Sequence, residues 1–205
     1  MPTRVFLLRH GETANPLVFH GAESDVGLSE RGRRQAEEAA AALAPFAPAQ
    51  VTSSAMRRAR DTAAPIARAC GLAPRVEPAL HERAVGALSG TPTHGSDGVW
   101  PQTLRRWVEG DTAYAPPGAE SFDDIRDRVI PVWARLTAER RGETQVIVAH
   151  GVVCKVLLVT LLPGRGVADW VRLGPVPNVG ITELVWEGEW RAMRLNVPPA
   201  ELTAA

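Results

Sequence analysis

Lysine is almost missing from this 205-residue chain: Lys155 is the only one among 23 basic residues, the rest being arginine. With alanine also abundant, that bias reads as the codon usage of a GC-rich genome rather than as chemistry. Net charge is missing as well, because the 23 acidic residues cancel the basic ones. A neutral chain offers no electrostatic case for nucleic acid or an acidic membrane as its main partner. Cysteine is scarce, and Cys70 and Cys154 lie too far apart for a disulfide framework or a metal-ligand spacing. Both stand in apolar helical contexts and are expected to be small core residues. The longest apolar run, Val156–Leu162, is too short to cross a bilayer. The start of the chain lacks the shape of a signal peptide, so the expected location is the cytoplasm. Internal repeats, low-complexity tracts and linker-like joints are absent. The length suits one domain with a substantial core, expected to span residues 1–205.

What is present is organised around Val5–Thr13, VFLLRHGET. Val5 to Leu8 is short, apolar and flanked by charge, which reads as a buried strand of a parallel sheet. It delivers Arg9, His10 and Gly11 to its carboxyl end, where open α/β sheets bind ligands. Arg9 can fork two hydrogen bonds onto a phosphate, His10 can attack, and Gly11 lets backbone approach closely. A second strand followed by His-Gly occurs at Gln145–Ala149, His150 and Gly151, and the helix from Gly151 to Leu162 would turn its N-terminus toward the same anion.

Between these two sentences the pattern alternates. After a loop carrying Asn15, Phe19, His20 and Gly21, Ser29 caps a helix that runs to about Leu43 and stops at Pro45. Gly32 inside that helix costs about 1 kcal/mol against Ala, which points to a packing reason. Gln50–Ser53 is a strand, followed by a helix ending near Cys70-Gly71 and kinked by Pro65. A third strand is expected at Arg75–Glu77, and a long helix from Phe122 to about Arg140 with a bend at Pro131. The chain closes with a hairpin, Ile181–Trp186 and Glu189–Leu195, and frays after Pro198. Thr91–Gly118, rich in Pro, Gly and Trp with a short helical piece at Thr103–Val108, reads as a cap. Its Trp100, Arg105, Arg106, Trp107 and Tyr114 make it aromatic and basic, suited either to a sugar-like or nucleotide-like alcohol or simply to covering the core. His20, His81 and His94 are too dispersed for a metal site, with His20 nearest the pocket edge.

Arg9-His10-Gly11-Glu12-Thr13 resembles the signature of the histidine phosphatase superfamily, the phosphoglycerate-mutase-like proteins. The resemblance extends along nearly the whole chain. Leu28, Ser29, Gly32, Gln35 and Ala36 match the family's first helix. Ser53-Ser54 through Arg58-Ala59 to Thr62-Ala63 matches the segment that carries the phosphate-binding arginine, which places that role on Arg58. Leu80-His81-Glu82 with Gly86 and Gly90 resembles the stretch whose Glu is the proton donor, so Glu82 takes that role by position. Pro117-Gly118-Ala119-Glu120-Ser121 resembles Pro-Gly-Gly-Glu-Ser. Two departures bear on activity: Leu88-Ser89 stands where many phosphatases of the family have Trp-Glu, and Ala84-Val85 where the mutases have His-Tyr.

The resemblance implies a three-layer αβα sandwich, with a mostly parallel central sheet and a small cap, about 91–118, over the carboxyl ends of the strands. It implies a phosphomonoester hydrolase working through phosphohistidine on a small phosphorylated metabolite. His10 is then the nucleophile, Glu82 the acid and base, and Arg9, Arg58 and His150 the holders of the phosphoryl oxygens. Gly11, Asn15 and Gly151 complete the expected substrate contacts, and no metal or cofactor is implied. Phosphoryl transfer of the mutase type and non-catalytic binding of a phosphorylated ligand are the alternatives. An exposed edge strand leaves room for a homodimer.

Overall fold

The computed structural model describes residues 2–92 and 98–202. Eleven helices and strands follow one another in these residues: β1 (Thr3–Arg9), α1 (Glu30–Leu43), β2 (Gln50–Ser54), α2 (Arg57–Ala69), β3 (Arg75–Glu77), α3 (Val99–Val108), α4 (Phe122–Glu139), β4 (Thr144–Ala149), α5 (Gly151–Leu161), β5 (Ile181–Trp186) and β6 (Trp190–Val197). The strands form one sheet in the order β3–β2–β4–β1–β5–β6. β3, β2, β4 and β1 run parallel, and β5 and β6 are added antiparallel at one side.

Alternation along the central strands makes the sandwich. Val5 and Leu7 of β1, with Ile147 and Ala149 of β4, join the core under α4 and α5. Phe6 and Leu8, with Val146 and Val148, join the core under α1 and α2. Both faces are buried, which is why these strands read as continuous apolar runs rather than alternating ones. The second core is rich in Ala39, Ala40, Ala59, Ala63 and Ala67, so α1 and α2 lie close against the sheet. The first is filled by Trp107, Trp133, Trp170 and Trp190.

The local signals act as expected at several ends. The Ser29 hydroxyl accepts from Gly32 N at 2.9 Å and caps α1. Ser121 and Asp124 form a reciprocal capping box at the start of α4. Gly32 has a packing reason: a Cβ there would run into the Glu12 carbonyl, and one on Gly11 would meet Gly32 O at 2.7 Å. The end of β1 and the first turn of α1 touch backbone to backbone.

Three expectations need correction. Residues 199–202 do not fray: Pro199–Glu201 makes a 3-10 turn, and Leu202 is buried in the core beneath α1 and α2, while 203–205 lie outside the described residues. Cys154 is a core residue, but Cys70 is the half-buried C-terminal cap of α2. The cap's helix begins earlier than its periodicity suggests, at Val99. His94 lies outside the described residues, as does part of the cap.

Candidate active site

β1 and β4 are neighbours in parallel register, with Arg9 beside Ala149. The residues that follow each strand therefore emerge side by side. His10 N donates to Ala149 O at 3.0 Å, and the His10 and His150 rings lie 5.1 Å apart between centroids. Sheet topology alone brings the two His-Gly segments, 140 residues apart in sequence, to one point.

His10 is oriented by backbone and His150 by a serine hydroxyl. The His10 Nδ1 sits 2.7 Å from the Gly11 carbonyl, which fixes it as the N–H donor and leaves Nε2 with the lone pair. Burial, reinforced by the Arg9 and Arg58 cations, drives the His10 pKa well below the ordinary 6.5, so the ring is neutral. His150 is neutral for the same reasons: burial first, then His10 and the two guanidiniums. Its Nε2 meets Ser54 Oγ at 2.8 Å, while its Nδ1 is buried without a partner.

The two arginines are anchored on carbonyl oxygens rather than carboxylates. Arg9 Nη1 donates to Val176 O at 2.8 Å. Arg58, fully buried in the first turn of α2, donates to the carbonyls of Ser24, His20 and Gly21. Among the described residues neither has an ion-pair partner at the distances recorded for the other arginines. Glu82 meets part of their charge from a distance, and the remainder is left for an anion. The Nε of each is buried and unpartnered. With His150 Nδ1, these atoms are unsatisfied polar groups gathered around His10, and a buried orphan donor costs about 1–3 kcal/mol unless something fills it.

Glu82 follows the 3-10 turn Pro78–Leu80 rather than a strand. Its carboxylate accepts from Arg83 N at 2.9 Å and Val152 N at 3.4 Å. The turn is held from α4, where Arg128 donates to Ala79 O and His81 O while forking onto Glu120. Glu120 in turn accepts from Ala84 N. Glu82 lines three cavities. One of about 260 Å³ includes Arg9, His10, Glu12, His20 and Asn178; one of about 500 Å³ includes Arg9, Trp100, Gly151, Lys155 and Trp170; one of about 140 Å³ includes Phe19, Arg83 and Trp100.

The arrangement thus gathers His10, His150, Arg9, Arg58 and Glu82, and Gly151 lies against the Arg9 guanidinium. Two expected substrate contacts are not formed this way. The Gly11 N–H is spent on Thr62 Oγ1 and its carbonyl on His10, so Gly11 is an orienting residue. Asn15 is exposed and lines none of the three cavities; its carbonyl only receives the His20 ring. In the cap, Trp107 is core and Arg106 pairs with Asp111 and stacks on Tyr114, so Trp100 alone of the expected cap residues lines a cavity here. Sequence reasoning named Ser54 in the family motif but missed its contact with His150, and it missed Asn178, which donates to His10 O at 3.0 Å, and Arg128. Asn178 stands at the entry to β5, beside the end of β1, and that pairing was the signal that could have found it.

Residues 5–198 match the family model described as the histidine phosphatase superfamily, branch 1. The chain belongs to this superfamily. Within it, the chain is 39% identical over 190 residues to a bifunctional protein of Mycobacterium tuberculosis, a match covering 91% of this chain but 52% of that one. The chain thus spans about half the length of that relative. It is 35% identical over 196 residues to a glucosyl-3-phosphoglycerate phosphatase of the same organism, covering 91% of this chain and 86% of the relative. The solved structure of a mycobacterial glucosyl-3-phosphoglycerate phosphatase superposes with a TM-score of 0.81 at 32% identity, over 96% of this chain and all of that one.

Proposed function

We propose that this superfamily member hydrolyses phosphomonoesters of small metabolites through a phosphoenzyme on His10. The observation that carries the reading is the state of His10: a buried, neutral imidazole with Nδ1 tied to a carbonyl, beside two arginines that are anchored on carbonyls and form no ion pair among the described residues. An imidazole so held can only attack through Nε2.

The phosphoryl group binds over Nε2, with its non-bridging oxygens receiving Arg9 Nε–H, Arg58 Nε–H and His150 Nδ1–H. This requires the His150 tautomer in which the Ser54 hydroxyl donates to Nε2. Attack forms the N–P bond and breaks the P–O ester bond, and Glu82 gives its proton to the departing alkoxide. Water, losing a proton to Glu82, then attacks phosphorus and breaks the N–P bond, releasing inorganic phosphate and restoring both groups. Positive charge preorganised around the transferring group stabilises the in-line transition state, the part that metal ions play in other phosphoryl-transfer sites. The relationship to glucosyl-3-phosphoglycerate phosphatase supports a phosphorylated metabolite as substrate.

The test is phosphate release from p-nitrophenyl phosphate and a panel of metabolite phosphates, with EDTA present. Release by the wild-type chain and none by His10→Ala is the expected result. No release from any phosphomonoester, or equal release by His10→Ala, contradicts the proposal.

A further inference from the structure

Arg83 is nearly as deeply buried as Arg58, at 1% exposure, yet it follows the proposed acid in the chain rather than flanking His10. Among the described residues it forms no ion pair. Burying a permanent cation without one is costly, and an apolar side chain of the same length would avoid that cost. What the guanidinium does is join three parts of the molecule. Its Nε donates to Glu120 O at 2.9 Å, two residues ahead of α4. Its carbon lies 5.0 Å from the ring centroid of Trp100 and 5.2 Å from that of Trp107, both on α3. Its Nη2 is buried without a hydrogen-bond partner, which leaves the two rings to offset its desolvation. The third part is Glu82 itself. The Arg83 backbone N–H donates to Glu82 Oε1 at 2.9 Å, whereas Oε2 has the longer 3.4 Å contact from Val152 N.

We propose that Arg83 is the positioning residue of Glu82, bracing against cap helix α3 the peptide that aims the acid's proton. The inference rests on the phosphatase reading above and adds to it a residue that acts through Glu82. A protonated carboxyl keeps one oxygen as acceptor and makes the other an O–H donor. The shorter bond holds Oε1 as the acceptor and leaves Oε2 as the end that carries the proton. The direction of that end follows the plane of the peptide joining Glu82 to Arg83. The Arg83 side chain fixes this plane, because it is anchored on Glu120 O and gripped by two rings of the cap. The cap thus does more than line the pocket: it sets the aim of the acid.

The test compares glycerol 3-phosphate, whose departing alkoxide needs a proton, with p-nitrophenyl phosphate, whose nitrophenolate does not. The quantity compared is kcat/KM, which reports formation of the phosphoenzyme rather than its hydrolysis. Arg83→Met keeps the apolar stem and loses the guanidinium. It should lower kcat/KM for glycerol 3-phosphate by about 10- to 100-fold, the order expected when a reacting group is displaced by about 1 Å. The loss on p-nitrophenyl phosphate should be several times smaller. In the Glu82→Gln protein, adding Arg83→Met should lower turnover of glycerol 3-phosphate little further, because two changes that disable one group do not add. Equal losses on the two esters, or the same further loss with and without Glu82, overturn the proposal. If Arg83→Met does not fold, Arg83→Lys carries the same comparison, since it keeps a cation but not the planar fork. A smaller loss, still selective for glycerol 3-phosphate, is then expected, and an unselective one contradicts the assignment. Wild-type protein that releases phosphate from neither ester would instead overturn the phosphatase reading.

Discussion

At the floor of the pocket, three of the charged or titratable groups are tied to backbone carbonyls, Arg9 to Val176 O, Arg58 to the carbonyls of 20, 21 and 24, and His10 to Gly11 O, while His150 is held by the Ser54 hydroxyl. Along the cap wall the cohesion is aromatic. Trp100, Trp107 and Trp170 meet edge to face at 5.6–6.3 Å between centroids, and the buried Arg83 guanidinium lies 5.0 and 5.2 Å from the rings of Trp100 and Trp107. Carbonyl anchors are directional, and they leave cationic charge for the substrate while fixing where it sits. Ring contacts are broad and tolerate repacking. On the proposed reading the floor serves one task, holding a phosphoryl group, and the wall is the part that can be reshaped around different alcohols.

Glu82 lies where the two regions meet, and its substitution is the sharpest way to divide them. Glu82→Gln should slow turnover of an alkyl phosphate by about 100- to 10,000-fold, the usual worth of a positioned acid. With p-nitrophenyl phosphate, whose leaving group needs no proton, the loss should be much smaller. Equal losses on both, measured as kcat/KM, would remove Glu82 from the acid role and leave it a structural member of the floor.

The rigidity of the floor can be broken at Gly32. Ala at this position would gain about 1 kcal/mol of helix propensity. Its Cβ, however, would enter the Glu12 carbonyl, and backbone cannot yield there as a side chain could. The clash should win, destabilising Gly32→Ala by about 1–3 kcal/mol in urea titration. A neutral or stabilised variant would show that the contact between β1 and α1 is looser than described.

A smaller effect follows from the two imidazoles. His10 and His150 stay neutral when folded, with pKa values well below 6.5, whereas in the unfolded chain they protonate near 6.5. The unfolded state thus binds more protons below that pH. Their contribution to stability is complete above about 6.5 and falls as pH drops toward the folded values, by up to about 1.4 kcal/mol per unit for each ring. Denaturant midpoints measured from pH 7.5 to 5 should decline, and His150→Asn should decline less steeply. A flat wild-type profile would mean the rings are not held neutral.

The same contrast explains what could be read from the sequence. His10, His150 and Arg58 are each announced by a neighbouring element, a buried strand or the first turn of a helix, and resemblance supplied their roles. The role of Ser54, and Asn178 and Arg128 altogether, were invisible because their partners lie beyond other strands or in a distant turn. The role of Asn178, for example, depends on β5 pairing antiparallel with β1. Trp107 and Arg106 could not be sorted from Trp100 in sequence, since one helix presents all of them and only the packing decides which one faces the cavity. Leu202 was misjudged for a similar reason: short polar tails fray unless one apolar residue finds the core, as this one does.

The most direct test of the account is to quench the working protein within milliseconds and look for phosphate bound to it. Phosphate on His10, labile to acid and stable to base, and absent from the His10→Ala protein, is the predicted result. Steady hydrolysis with no such adduct at any time, or with the label on another residue, would contradict it.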